Sequence, residues 1–135
     1  MMKTYINSLL AKKAMEQKTI KVLYWIITIL FVLFMLMSAS FELLQTESAE
    51  KALTDLGYPA YLNYIIGVAK VLGAIALIQW KWRTIKEWAY AGFTIDIVGA
   101  AASTFLVTAS IGYTLFTLVF LIPLFLSYWL WKKSE

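Results

Sequence analysis

The sequence predicts an all-α integral membrane protein: a four-helix bundle with both termini in the cytoplasm. Three observations predict it. The 135-residue chain is 61% apolar and 15% charged, whereas a soluble domain is about 45–50% apolar and about 25% charged. Four apolar runs each approach the ~20 residues that cross a hydrocarbon core. The basic residues collect on one side of those four runs, as the positive-inside rule requires.

The N-terminal segment, residues 1–20, is basic. Met2, Tyr5, Ile6, Leu9 and Leu10 follow the i, i+3, i+4, i+7, i+8 spacing of one helical face, with Lys3, Lys12 and Lys13 beside them. Two readings stand: an amphipathic helix on the inner membrane surface, or a frayed basic tail. The first span covers about residues 22–41. The small residues Ser38-Ala39-Ser40 at its end resemble a signal-peptide cleavage site, but the run is long and its basic leader extended, so an uncleaved span is expected. An acidic outer loop follows over 42–58. Pro59 suits the first position of the second span, where a missing N–H costs little.

The second span runs over about 61–80 and the third over about 86–107, joined by a basic turn at Lys81, Arg83 and Lys86. The fourth covers 112–131 and contains Pro123, which removes the bond to the Val119 carbonyl and is expected to bend the helix. With four spans, ten of the twelve basic residues lie on the side of the termini. All six tryptophans (Trp25, Trp80, Trp82, Trp88, Trp129 and Trp131) fall near that inner boundary, while Tyr58, Tyr61, Tyr64 and Tyr113 fall near the outer one. Such belts of Trp and Tyr mark membrane interfaces. The expected location is the cell membrane, multi-pass.

Composition also excludes chemistry. There is no Cys and no His, which removes disulfides, Cys/His zinc sites, His-ligated haem and the Ser-His-Asp and Cys-His nucleophile systems. Met35 and Met37 lie among Phe31, Phe34 and Phe41, which reads as packing and not as a metal site. The net charge of +4 comes from residues flanking apolar spans, so nucleic acid is not an expected partner.

Two charges break the apolar runs. Lys70 lies 13 residues before Arg83, and Asp96 lies 13 after it. In an antiparallel hairpin, equal spacing puts both at one depth. A charge at mid-bilayer costs about 2.5–3.5 kcal/mol on insertion scales, so such residues are usually functional. Asn63, Gly67, Lys70 and Ala74 share one face of the second span, and Gly92, Asp96, Gly99 and Ser103 share one face of the third. Small residues let helices approach in lipid, so these faces are expected to join, with Lys70 facing Asp96. The pair serves either as glue between helices or as a polar pocket for a head group, a quinone oxygen or a proton. Glu87 is half a helical turn away from Asp96, and a favourable interaction with the N-terminal dipole of its helix explains it. Glu42, one turn after Ser38 at the outer end of the first span, either closes the pocket from outside or is a solvated end charge, and the second is expected.

Three stretches resemble the DoxX-like family of small membrane proteins. They are Leu56-Gly57-Tyr58-Pro59, Gly67-Val68-Ala69-Lys70-Val71-Leu72-Gly73, and Lys86-Glu87-Trp88-Ala89-Tyr90-Ala91-Gly92-Phe93 followed by Asp96 and Gly99-Ala100-Ala101-Ala102-Ser103. The resemblance covers about residues 20–131. It implies a four-helix membrane bundle in which Lys70, Glu87, Asp96 and Ser103 are characteristic positions, and so raises Glu87. Relatives often place a His after the Ser, where this chain has Thr104, so a His-dependent role is not carried over.

The function expected is a quinone- or lipid-binding accessory subunit of a membrane redox system, with a polar core of Lys70, Asp96, Ser103, Glu87 and Asn63. Quinone is the one cofactor suggested. No catalytic residue and no metal ligand is assigned, and no catalytic activity of its own is expected. The alternatives are a non-catalytic membrane assembly or chaperone protein and a proton-coupled carrier working as an oligomer. Expected partners are the lipid bilayer and either a membrane protein or a second copy.

Overall fold

The computed structural model describes residues 1–134, which form an all-α fold. Helix α1 spans Met2–Leu43, α2 Glu47–Asp55, α3 Leu62–Ile78, α4 Arg83–Thr108, α5 Ile111–Leu118 and α6 Leu121–Ser134. The N-terminal segment is continuous with the first apolar run. At 42 residues α1 is about 63 Å long, twice a ~30 Å hydrocarbon core. Residues 1–19 are exposed on all sides, so the bundle packs only on the C-terminal half of α1.

The ends of the helices follow local chemistry. Gln45 adopts a left-handed φ of 50° just after α1, turning the chain toward α2. The Thr46 hydroxyl then caps α2 by accepting from the Ala49 amide at 3.3 Å, a favoured N-cap arrangement. The Gln45 amide group also donates to the Ala60 carbonyl at 3.0 Å and accepts from Asn63 Nδ2 at 3.0 Å. That turn therefore fixes the start of α3. Ala109, at a φ of 53°, closes α4, and Ser110 caps α5. This short reversal leaves α5 packed back on α4.

The last helical run, Ile111–Ser134, is interrupted between α5 and α6. Pro123 has no N–H, so the Val119 carbonyl accepts instead from the Ile122 amide at 3.0 Å. Local tightening re-satisfies the freed group, as membrane helices require. Helices α1, α4 and the Ile111–Ser134 run are long and apolar enough to cross a membrane, and α3 is a shorter apolar helix of 17 residues, at the lower limit of spanning length.

Helix α1 packs against α3 and α6, and α4 packs against α3, α5 and α6. The core is built from Phe31, Val32 and Met35 of α1, Ala74 and Leu77 of α3, Phe93 and Ile97 of α4, and Leu124 of α6. The small residues pack differently from expectation. A Cβ on Gly67 would lie 2.7 Å from Leu43, so this glycine admits α1, not α4; a Cβ on Gly73 would lie 2.9 Å from the Phe93 ring of α4. Gly92 and Gly99 of α4 would meet nothing within 4 Å. The α3–α4 contact thus rests on Gly73 against a phenylalanine, and an open groove is left beside Gly92.

Candidate functional site

Helix α3 carries Lys70 into a cluster with α1 and α4. Lys70 Nζ donates to Glu42 Oε1 at 2.6 Å and to Ser38 Oγ at 3.0 Å, and it lies 3.9 Å from Asp96 Oδ2. The Ser38 hydroxyl also donates to Glu42 Oε1 at 3.3 Å. The expected Lys70–Asp96 proximity is present, but the tighter partner is Glu42. That residue is not a solvated end charge: its side chain is only 15% exposed. Its other oxygen, Oε2, is buried with no hydrogen-bond partner among the described residues. The reason is continuity of the first helix. Because α1 runs on to Leu43, Glu42 stays on a helical face one turn from Ser38, and both face α3. The Ser38–Glu42 spacing of four puts the two on one helical face but does not report what covers that face.

A lysine ammonium has three N–H donors. Glu42 and Ser38 take two. Asp96, at 3.9 Å, is too distant for a hydrogen bond, so the third donor and the Asp96 carboxyl group bracket a gap. That gap opens on a cavity of about 370 Å³ between α3 and α4, walled by Ile65, Leu72, Gly73, Trp88, Gly92 and Phe93 and reaching Lys70 and Asp96. The site is an apolar groove with a charged end.

The other expected core residues lie elsewhere. Asn63 is buried, but its partner is Gln45. Ser103 shares a 2.6 Å hydrogen bond with Tyr58 Oη, which ties α4 to the loop before α3. Glu87 turns toward α6, accepting from Tyr128 Oη at 3.1 Å and from the Lys132 ammonium. It joins two helices and does more than meet the dipole of its own. Of the five residues expected in one polar core, only Lys70 and Asp96 come together.

A second polar cluster was not anticipated. Lys86, expected as an interfacial charge, is 3% exposed. Its Nζ lies 4.6 Å from the Tyr24 ring centroid, 5.1 Å from that of Trp131 and 5.4 Å from that of Trp25, all within cation–π range. Nearby, Ser127 Oγ is bonded to Thr28 Oγ1 at 2.5 Å and to Tyr90 Oη at 2.8 Å. These three hydroxyl groups join α1, α4 and α6. No group of three His, Cys, Asp or Glu side chains that could hold a metal ion occurs among the described residues.

No curated protein and no solved structure matches the chain. The model of the DoxX-like family matches residues 26–127, a stretch that begins inside α1, ends inside α6 and includes Glu42, Lys70 and Asp96. The chain is therefore a member of the DoxX-like family, and a membrane protein.

Proposed function

We propose that the protein is an accessory subunit of a membrane redox system that holds the polar head of a quinone or lipid at Lys70 and Asp96, with the apolar tail along the α3–α4 groove. The observation that carries this reading is the gap beside Lys70. A carbonyl oxygen placed there accepts from the third N–H of the ammonium, while Trp88 and Phe93 offer flat surfaces to a ring. Sites of this kind are largely apolar with a few convergent polar groups. The chain lacks Cys, His and any nucleotide motif, so electron transfer itself falls to a partner. The membrane arrangement that goes with this reading has four spans, α3 being the short one, and both termini in the cytoplasm of a cell membrane.

A water-soluble ubiquinone analogue tests it. Added to protein purified in mild detergent, it is expected to quench tryptophan fluorescence saturably, because Trp88 lines the groove. Gly92→Leu is the informative variant. A Cβ there meets nothing within 4 Å, and leucine favours a helix over glycine by roughly 0.8 kcal/mol, so the bundle survives while the groove fills. Saturable quenching should vanish in Gly92→Leu and weaken in Lys70→Met. Unsaturable quenching, equal in all three proteins, would sink the proposal.

A second reading, a membrane assembly protein, draws on the outer surface of α4. Gly99 there meets no neighbour, and Ile95, Val98 and Leu106 are exposed, a surface on which another helix can seat. Crosslinking from Val98 in native membranes distinguishes the two: a specific protein adduct supports assembly, and adducts to lipid alone oppose it.

A further inference from the structure

The α3–α4 groove ends on a donor and an acceptor that are not bonded to each other. Lys70 Nζ is held by Glu42 Oε1 at 2.6 Å and by Ser38 Oγ at 3.0 Å, which leaves one N–H to donate. Asp96 Oδ2 stands 3.9 Å from that nitrogen, beyond hydrogen-bond distance. The cluster holds one cation and two carboxyl groups, and Glu42 has the closer hold on the cation. Asp96 is left with acceptor capacity. Its side chain is 32% exposed and borders the same cavity as Lys70.

A head group entering the gap meets both. An oxygen about 2.8 Å from each group fits between atoms 3.9 Å apart. A carbonyl oxygen only accepts: it bonds Lys70 and turns its lone pairs on the Asp96 carboxylate. A hydroxyl group accepts through its oxygen and donates its hydrogen, so it bonds Lys70 and Asp96 together. Water bonds in the same two ways, and displacing it with a group that reproduces only one of the bonds loses affinity. Hydrogen bonds to ionised groups are also the stronger kind.

We infer that the gap between Lys70 and Asp96 selects a hydroxyl head over a carbonyl head, so that of the two forms of a quinone the groove takes the reduced quinol. This rests on the reading of the α3–α4 groove as a quinone or lipid site. Lys70 serves both forms, and Asp96 is the residue that tells them apart. A lipid alcohol offers the same hydroxyl without a ring for Trp88 and Phe93 to face.

Isothermal titration calorimetry under argon tests it, with the full chain in phosphatidylcholine nanodiscs, whose lipid offers no competing hydroxyl. The probes are a short-chain ubiquinone analogue, its quinol and dodecanol. The wild type is expected to bind the quinol at least about tenfold more tightly than the quinone, the size of one hydrogen bond to a charged group. Asp96→Asn puts an amide that donates to a carbonyl in place of an acceptor. The ratio of quinol to quinone affinity should therefore fall at least about tenfold in Asp96→Asn. Comparing ratios cancels the different membrane partition of the two forms. Dodecanol that binds as tightly as the quinol, and is weakened likewise by Asp96→Asn, would support hydroxyl selection with a lipid alcohol as its source. An equal ratio in wild type and Asp96→Asn, with binding of both forms abolished by Gly92→Leu, would overturn the inference and leave the groove as a quinone site. No binding of any probe, or binding that Gly92→Leu leaves unchanged, would overturn the groove reading and this inference with it.

Discussion

Two lysines inside the bundle have opposite surroundings. Lys70 meets a carboxylate at 2.6 Å, a serine at 3.0 Å and a second carboxyl group at 3.9 Å. Lys86 is packed among three aromatic rings at 4.6–5.4 Å. The first arrangement is one cation between two acids. In the second, one cation is enclosed by rings. Carboxylates fix a lysine strongly and directionally but leave an uncompensated charge if it is removed. Rings hold it more weakly and leave no charge behind. The gap beside Lys70 is therefore suited to a polar group that accepts hydrogen bonds, whereas the Lys86 ammonium is enclosed by rings.

The largest expected effect breaks the arrangement around Lys70. Lys70→Met strands both Glu42 and Asp96. Removing one partner of a buried pair costs about 3–5 kcal/mol. The lower end applies here because the Asp96 side chain is 32% exposed. Denaturant unfolding in detergent should show that loss, and Lys70→Met/Glu42→Gln should recover part of it. A cost no larger than that of Lys51→Met, a change in exposed α2, would mean that the cluster is already solvated and does not hold the helices.

Next comes Lys86→Met, which keeps the length of the side chain and removes the cation. Cation–π contacts are worth about 0.5–2 kcal/mol, more when desolvated, so a loss of about 1–2 kcal/mol is expected. Lys86→Arg, which also stacks on rings, should recover most of it. If Lys86→Met costs as much as Lys70→Met, charge pairing and not ring contact dominates at both ends, and the contrast collapses.

The two lysines also show why one site was legible in the sequence and the other was not. Lys70 and Asp96 interrupt apolar runs at equal distances from Arg83, so spacing alone brought them to one depth. Glu42 sits at the end of a run, where a charge normally meets water. Its burial depends on α1 continuing rigidly to Leu43 and on Gly67 admitting that end of α1, which no local pattern reports. Lys86 was read as interfacial for the same reason. Its rings come from residues 24, 25 and 131, brought together only by the packing of α1, α4 and α6. The bend expected at Pro123 was legible because a missing N–H acts within one turn. The faces of Gly92 and Gly99 misled, because small residues permit close approach without requiring it.

The smallest effects separate burial from bonding. Tyr90 and Tyr58 each share a hydrogen bond with a serine, at 2.8 and 2.6 Å. Tyr90 is 4% exposed and Tyr58 39%. A hydrogen bond contributes about 0.5–1.5 kcal/mol net, and an unsatisfied buried partner costs more. Tyr90→Phe leaves Ser127 still bonded to Thr28, so about 1 kcal/mol is expected and not the full desolvation penalty. Tyr58→Phe frees Ser103 toward a polar boundary where water replaces the phenol, and less than about 0.5 kcal/mol is expected. Unfolding of the two variants side by side measures the difference directly. Equal losses would place Tyr58 in a dry environment, and the loop before α3 would then be packed into the membrane and not at its surface. A larger loss for Tyr58→Phe would make the bond that ties α4 to the loop before α3 worth more than the buried one.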